Sequence, residues 1–226
     1  MHTLLQTGIY SIPEAAHLTN VSTWRIRRWL RGYEFRVRAG HHSSPPVWEG
    51  QLEPIDHAVA LGFLDLIEIR CVDALIQAGV SWPTLRTAHT NAKKMAGSTH
   101  PFCTNRFATD GLTVFLRMHE KREQDIVWDM KDIQRVFKQI IEPFLKNMEF
   151  AEGEAVQWWP MGQDHQVVLN PRRSFGRPIV VDKGIPTASL AAAFKTEQDL
   201  RIVAEWFAVS LREIQDAIDF EAKLVA

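Results

Sequence analysis

The sequence predicts a mainly α-helical protein of the α+β class, and three observations carry that expectation. Apolar residues recur at helical spacing over long stretches, most clearly Ile55, Val59, Phe63, Leu66, Ile67, Ile69, Val72, Leu75 and Ile76. Helix-start signatures recur along the chain, with Ser11 three residues before Glu14, Ser210 three before Glu213, and Ser22 and Ser81 each ahead of a helical pattern. Between the helical stretches lie short runs of strand-forming residues bounded by Gly, Pro and Asp. The 226 residues are 46% hydrophobic and 23% charged with a net charge of −1, so the chain can bury one large or two small cores and disorder is excluded as its default state.

The opening stretch, Tyr10 to Leu30, predicts two helices joined by a tight turn. Ser11 and Glu14 form a capping box, Pro13 is tolerated in the first turn, and the first helix runs from Ile12 to about Leu18. Thr19-Asn20-Val21 is the turn, and Ser22 caps the second helix, with Val21 and Ile26 at hydrophobic-staple spacing. At 100° per residue, Ile26, Trp29 and Leu30 share the inward side while Trp24, Arg27, Arg28 and Arg31 spread over the outer one. Between residues 20 and 40, Arg25, Arg27, Arg28, Arg31, Arg36 and Arg38 face only Glu34, a local net charge of +5 on a nearly neutral chain. Such a patch suits phosphate contact; the alternative is a solvated cationic face on a helical hairpin.

The segment after it, from Ala39 to Pro54, is rich in Gly, Ser and Pro and predicts a loop, with at most a short strand near Val47 and Trp48, placed to act as a wing. Pro54 to Ala78 reads as a helix stopped by Gly79, and Ser81 opens another. Asp110-Gly111, between two strand-forming runs over residues 106–117, predicts a β-hairpin, and a helix is expected from about Lys131 to Met148. Residues 157–187 then predict two short strands around a basic turn. The last forty residues return to helices: Thr196 with Asp199 caps one to about Phe207, and Ser210 with Glu213 caps the last. This second helix pair carries −2 from Leu211 to Lys223 and is expected to pack on protein rather than phosphate. The organisation expected is therefore residues 1–97, a central hairpin and connecting helix at 98–154, and residues 155–226.

Chemistry-bearing constellations are sparse. Cys71 and Cys103 form no CxxC pair, and the adjacent His41 and His42 lack partners at metal-ligand spacing, so neither a metal nor a cofactor is expected. Asp125, Asp129 and Asp132 are interleaved with Lys131 and Arg135 and predict a solvated, ion-paired face. No phosphate loop, nucleophile elbow or HExxH is present, and the chain is not expected to be an enzyme. No secretory leader or membrane-length apolar run is found, so a cytoplasmic protein is expected. Of the tryptophans, Trp158-Trp159 predict one core and one docking contact, and Trp206 is expected in the core.

The stretch YSIPEAAHLTNVS, the Ile26-Arg27 pair and IRCVDALIQAGVSWPTLR resemble the DNA-binding domain of MerR-type bacterial regulators. The resemblance implies a winged helix-turn-helix in which the second helix enters the major groove. Carried over by position, Ser22, Trp24, Arg27 and Arg28 meet the groove, Arg25 and Arg31 complete the basic face, and His41, His42 or Ser43 lies near the wing. No long C-terminal coiled coil of the MerR kind follows.

QWWPMG, VVLNPRRSFGRPIVVDKGIPTASL and VAEWFAVSLREIQDAIDFEAKL, spanning about residues 155–224, resemble the small C-terminal domain of antitoxins in VapBC-type toxin-antitoxin pairs. That resemblance implies an antitoxin that binds its own palindromic or repeated operator, represses its operon, and sequesters a PIN-like ribonuclease toxin as a homodimer or larger hetero-oligomer. A PIN-like active site is a carboxylate cluster, which Arg172, Arg173 and Arg177 could occupy by bidentate pairing. Alternatively these arginines are solvated or pair with acids of the last helix. A MerR-like regulator responding to a small molecule, with an apolar pocket after residue 97, is the rival reading, and a nuclease in its own right is a further one.

Overall fold

The structure, a computed structural model, describes residues 6–37, 40–120 and 134–225. The described residues are mixed α and β, with helices dominating and three small sheets. The described residues divide into two units: Tyr10–Lys146 with Phe150–Ala155, and Met1–Ile9 with Asn147–Glu149 and Val156–Ala226. Residue 97, the expected boundary, lies within the first of these units. Phe102 and Phe107, just beyond it, are fully buried within the first unit, their rings tilted against one another at a centroid distance of 4.6 Å.

In the first unit, strand β1 (Tyr10–Ser11) runs into helix α1 (Ile12–Thr19). The capping box forms: the Ser11 backbone N–H donates to the Glu14 carboxylate at 2.7 Å and the Glu14 N–H to the Ser11 hydroxyl at 3.3 Å. Left-handed Asn20 ends α1, and α2 (Thr23–Arg31) starts from the Ser22 cap. Gly32 then turns the chain at φ +71°, where a Cβ would lie 2.3 Å from the Ser44 carbonyl oxygen, so no other residue fits without moving backbone.

That turn feeds an antiparallel hairpin of β2 (Tyr33–Val37) and β3 (Gly40–Ser44), with Tyr33 opposite Ser44 and Phe35 opposite His42. These strands stand ahead of the expected one near Val47 and Trp48. Those two residues fold inward instead: the Val47 N–H donates to the Trp29 carbonyl at 2.7 Å, and buried Trp48 donates its indole N–H to Asp65 at 2.9 Å.

Strand β4 (Ala60–Leu61) pairs back onto β1, with Tyr10 opposite Leu61. Helix α3 (Phe63–Gln77) begins there and not at Pro54, because Ile55–Ala58 closes a tight turn through left-handed Asp56 and His57, and the Asp65 carboxylate caps the helix from the Gly62 N–H at 2.8 Å. Helix α4 (Trp82–Ala96) starts from the predicted Ser81 cap.

The expected hairpin at Asp110-Gly111 is instead the middle of helix α5 (Asn105–Glu120). Gly111 is there for packing, since a Cβ would meet the Phe137 ring at 2.5 Å and the Phe107 ring at 2.9 Å. A turn dipeptide thus serves as the notch in which aromatic rings approach the helix backbone. A helical stretch follows over 134–146, π-wound at Phe137–Ile141 and α-helical as α6 (Glu142–Lys146), before strands β5 (Met148–Ala151) and β6 (Glu154–Trp158). Asp125, Asp129, Asp132 and the expected helix start at Lys131 lie outside the described residues.

The core of the first unit holds two buried carboxylate–histidine pairs. Asp65, already bonded to Trp48 and Gly62, meets His100 Nε2 at 2.8 Å, and Glu68 meets His89 Nε2 at 2.9 Å. All four side chains are buried, and their partners satisfy the polar atoms that burial would otherwise strand.

In the second unit the two predicted strands appear as β7 (Val167–Leu169) and β8 (Pro178–Val180), antiparallel with Val167 opposite Val180, and Trp158 of β6 lies opposite Leu169. Helices α7 (Thr187–Glu197), α8 (Leu200–Phe207) and α9 (Leu211–Val225) close around Val180, Leu190, Val203, Val209, Ile214 and Ala217. Asp199 caps α8 and the Ser210–Glu213 box caps α9, as expected. Thr196 is not a cap; it sits in the last turn of α7 and donates to the Ala192 carbonyl. Trp206 is not core either, for it is 61% exposed, whereas Val203 of the same helix is fully buried.

Candidate nucleic-acid interface and arginine turn

Helix α2 is held from beneath. Buried Ile26 and Trp29 face inward, and Trp29 meets Trp48 and Trp82 at ring-centroid distances of 6.4 and 5.9 Å. Arg25 Nη1 lies 2.7 Å from the Asp73 carboxylate of α3, and Arg70 of α3 donates to the Thr19 carbonyl at 2.9 Å. Both helices of the opening pair are therefore pinned to α3, which fixes the angle at which α2 presents its outer side.

On that outer side Arg27, Arg31 and Trp24 are exposed. Arg28 is half-buried, its guanidinium over the Trp24 ring at 4.2 Å and over the Tyr33 ring at 3.3 Å. The stack joins α2 to the first residue of the hairpin and orients the charge by contact with two π-faces. Arg28, by its hydrogen bond, together with Ser44 and the positive charge of Arg86, holds the Tyr33 phenol below its ordinary pKa. Arg86 on α4 donates to the Ser44 hydroxyl at 2.8 Å and the Pro45 carbonyl at 2.7 Å, which anchors the base of the hairpin where Ser44 pairs with Tyr33; burial lowers its own pKa.

Trp24, Arg25, Arg28, Trp29, Tyr33, Trp82 and Arg86 line an open pocket of about 130 Å³. Its lining is cationic and aromatic, the chemistry of a nucleic-acid contact: guanidinium groups for phosphate oxygens or base edges, flat rings for sugars and bases.

The residues singled out in the sequence thus take different places. Trp24, Arg27, Arg28 and Arg31 share the outer side of α2. Ser22 is spent on the cap, its hydroxyl accepting the Arg25 N–H at 3.4 Å, and Arg25 is turned to Asp73. His42 lies on β3, exposed and stacked on Phe35 at 5.7 Å. Tyr33, Asp73, Trp82 and Arg86 were not singled out. Only tertiary proximity makes them part of the site, and Asp73 and Arg86 carry no local pattern that distinguishes them.

The arginine turn belongs to the second unit. Asn170 opens it by accepting the Arg172 N–H at 2.9 Å, and Ser174, Phe175 and Gly176 all take left-handed φ values of 47°, 56° and 82°. Phe175 is 56% exposed there, between exposed Arg172 and Arg177. Arg173 points elsewhere, donating to the Val181 carbonyl at 2.7 Å. The turn therefore offers two charged forks and one ring to a partner, with its third arginine spent on its own scaffold. Acids of α9 are engaged otherwise, Asp216 with His165 at 2.9 Å and Glu221 with Thr187 at 2.5 Å.

Burial and the neighbouring Glu68 push the thiols of buried Cys71 and Cys103 well above their ordinary pKa. Among the described residues no group of three or more metal-ligating side chains is placed to hold a metal, and no helix is long and apolar enough to cross a membrane.

No protein-family profile matches the chain. It is similar to a Mycobacterium tuberculosis (strain ATCC 25618 / H37Rv) protein named Putative antitoxin VapB45, with 26% identity over 222 residues, 93% of this chain and 92% of that one. Its fold is that of the crystal structure of Rv2018 from Mycobacterium tuberculosis, with a TM-score of 0.73 and 22% identity over 93% of this chain and 97% of that chain.

Proposed function

We propose that the protein is a DNA-binding antitoxin: it contacts operator DNA through α2 and the β2–β3 hairpin in the manner of a winged helix-turn-helix, represses its own operon, and neutralises a PIN-like ribonuclease toxin through the arginine turn. The observation that carries the reading is the outer side of α2, where exposed Arg27 and Arg31 flank the Trp24–Arg28–Tyr33 stack on a chain of net charge −1. A cationic face concentrated on one helix of a neutral protein attracts phosphate without general stickiness. Similarity along nearly the whole chain to a protein named as an antitoxin supports the second half. The exposed Arg172 and Arg177 forks suit a carboxylate cluster, and one helix pair covers half of a site, so two copies would bind a palindrome.

The test has two arms. In a gel shift, the full chain should bind DNA upstream of its own gene with affinity falling as salt rises. Co-expressed with the product of a neighbouring short reading frame, it should co-purify with that product and suppress its ribonuclease activity. Failure of the first arm removes the DNA reading, and failure of the second removes the antitoxin reading.

The small-molecule regulator is the weaker reading. The groove of about 520 Å³ past residue 96 is lined by Ser98, Thr104, Asn105, Arg106, Glu152 and Glu154 among others, polar groups that do not suit the apolar inducer that reading needs.

A further inference from the structure

Helix α8 leaves an apolar stripe exposed. Ile202 is 39% and Trp206 61% exposed, and Leu211, at the start of α9, is 47% exposed. Ile202 and Trp206 are four residues apart, so they stack on successive turns of one side while Val203 faces the core. Exposed Arg201 and Glu205, also one turn apart, run along one flank of that stripe. Among the described residues neither has an ion-pair partner.

We propose that this face is where a second copy of the chain docks, the two α8 helices packing antiparallel about a two-fold axis. The charge order selects that occupant. A two-fold axis perpendicular to both helices sets the same flank of each against the other with direction reversed, so Arg201 of one copy meets Glu205 of the other, twice. Ile202 meets Trp206 in the same way. A parallel pair would place opposite flanks together and lose both ion pairs. The surface is thus complementary to itself, as an isologous interface must be. Trp at the centre with charge at the rim is also the usual distribution of a binding patch. Two helical turns and one flanking leucine make a small interface, so the association is expected to be concentration-dependent, with a dissociation constant on the order of micromolar.

This rests on the reading in which two copies act together and adds the surface on which they meet; it is tested without DNA or toxin, by sedimentation equilibrium of the full chain. The wild type should pass from monomer to dimer over the micromolar range, and Trp206→Glu should remain monomeric with an unchanged circular dichroism spectrum. Arg201→Glu and Glu205→Arg should each weaken dimerisation by on the order of tenfold, by placing like charges together, and the double exchange should restore it. A wild-type chain monomeric to on the order of 100 μM overturns the proposal. So does a double exchange no tighter than the single variants, or a Trp206→Glu variant that dimerises normally. If the chain is monomeric and Trp206→Glu abolishes toxin capture instead, the face belongs to the toxin and the proposal falls, while a gel shift still decides the DNA reading separately.

Discussion

Arg25 of α2 and Asp73 of α3 lie 2.7 Å apart, both largely shielded from solvent, so the arginine closest to the start of the candidate DNA-contact helix is spent on holding that helix in place. Asp73→Asn should lower the stability of the chain by about 1 kcal/mol, since it leaves a partly buried guanidinium without its counter-charge. It should also weaken operator binding without changing which bases matter, because the contact residues remain but their angle is no longer fixed. Thermal unfolding and a gel shift on mutated operators check the two halves.

Arg27 and Arg28 differ in setting and should differ in response. Arg27→Ala removes an exposed charge and should reduce the salt dependence of binding by about one phosphate. Arg28→Lys keeps the charge but loses the flat guanidinium between Trp24 and Tyr33, so it should cost about 1 to 3 kcal/mol of operator affinity. Titrations at two salt concentrations separate them, and equal behaviour of the two variants would contradict the assignment.

Arg172→Glu with Arg177→Glu should abolish toxin capture while leaving thermal stability within about 0.5 kcal/mol of wild type, since both side chains are exposed. Arg173→Ala should do the reverse, because its guanidinium holds the Val181 carbonyl. Pull-down and melting measured side by side give the readout.

The buried Asp65–His100 pair makes a pH prediction. Burial acts to lower the His100 pKa, but the hydrogen bond and charge of Asp65, with Glu68 and Glu154, outweigh it and leave the folded value above the ordinary one. A raised folded pKa means that the charged pair stabilises fully below the unfolded value of about 6.5, and that this contribution is lost as pH rises through the folded value. His100→Gln should therefore cost more stability at pH 6 than at pH 9. Urea unfolding midpoints at the two pH values check the sign.

Gly111→Ala should destabilise the protein by about 1 to 3 kcal/mol, despite the gain of up to about 1 kcal/mol in helix propensity, because the added methyl would meet the Phe107 and Phe137 rings. Chemical denaturation decides the sign.

Gly111 also shows how far the sequence could be read. Short-range rules located what depends on neighbours in the chain: the Ser11–Glu14 and Ser210–Glu213 boxes, the Asn20 turn, the outward arginines of α2 and the paired strands around the arginine turn. They misread Asp110-Gly111, because a glycine demanded by a ring on another segment looks locally the same as one demanded by a turn. Trp206 failed for the opposite reason. Helical spacing shows which residues share a face but not whether anything in the same chain covers it. The supporting half of the candidate DNA interface, Asp73, Trp82 and Arg86, was out of reach because its members meet α2 and the hairpin only through tertiary folding.

The pairing of β1 with β4 sets an order of events during synthesis. Tyr10 and Ser11 find their strand partners in Leu61 and Ala60, and α2 is anchored by Asp73 of α3 and by the rings of Trp48 and Trp82, all later in the chain. A ribosome that has released only the first two helices has therefore released a hand without a wrist, with its apolar side still uncovered. Competence for DNA should appear as a step once α3 has cleared the exit tunnel. Nascent chains stalled before and after that length, assayed for operator capture, would show the step.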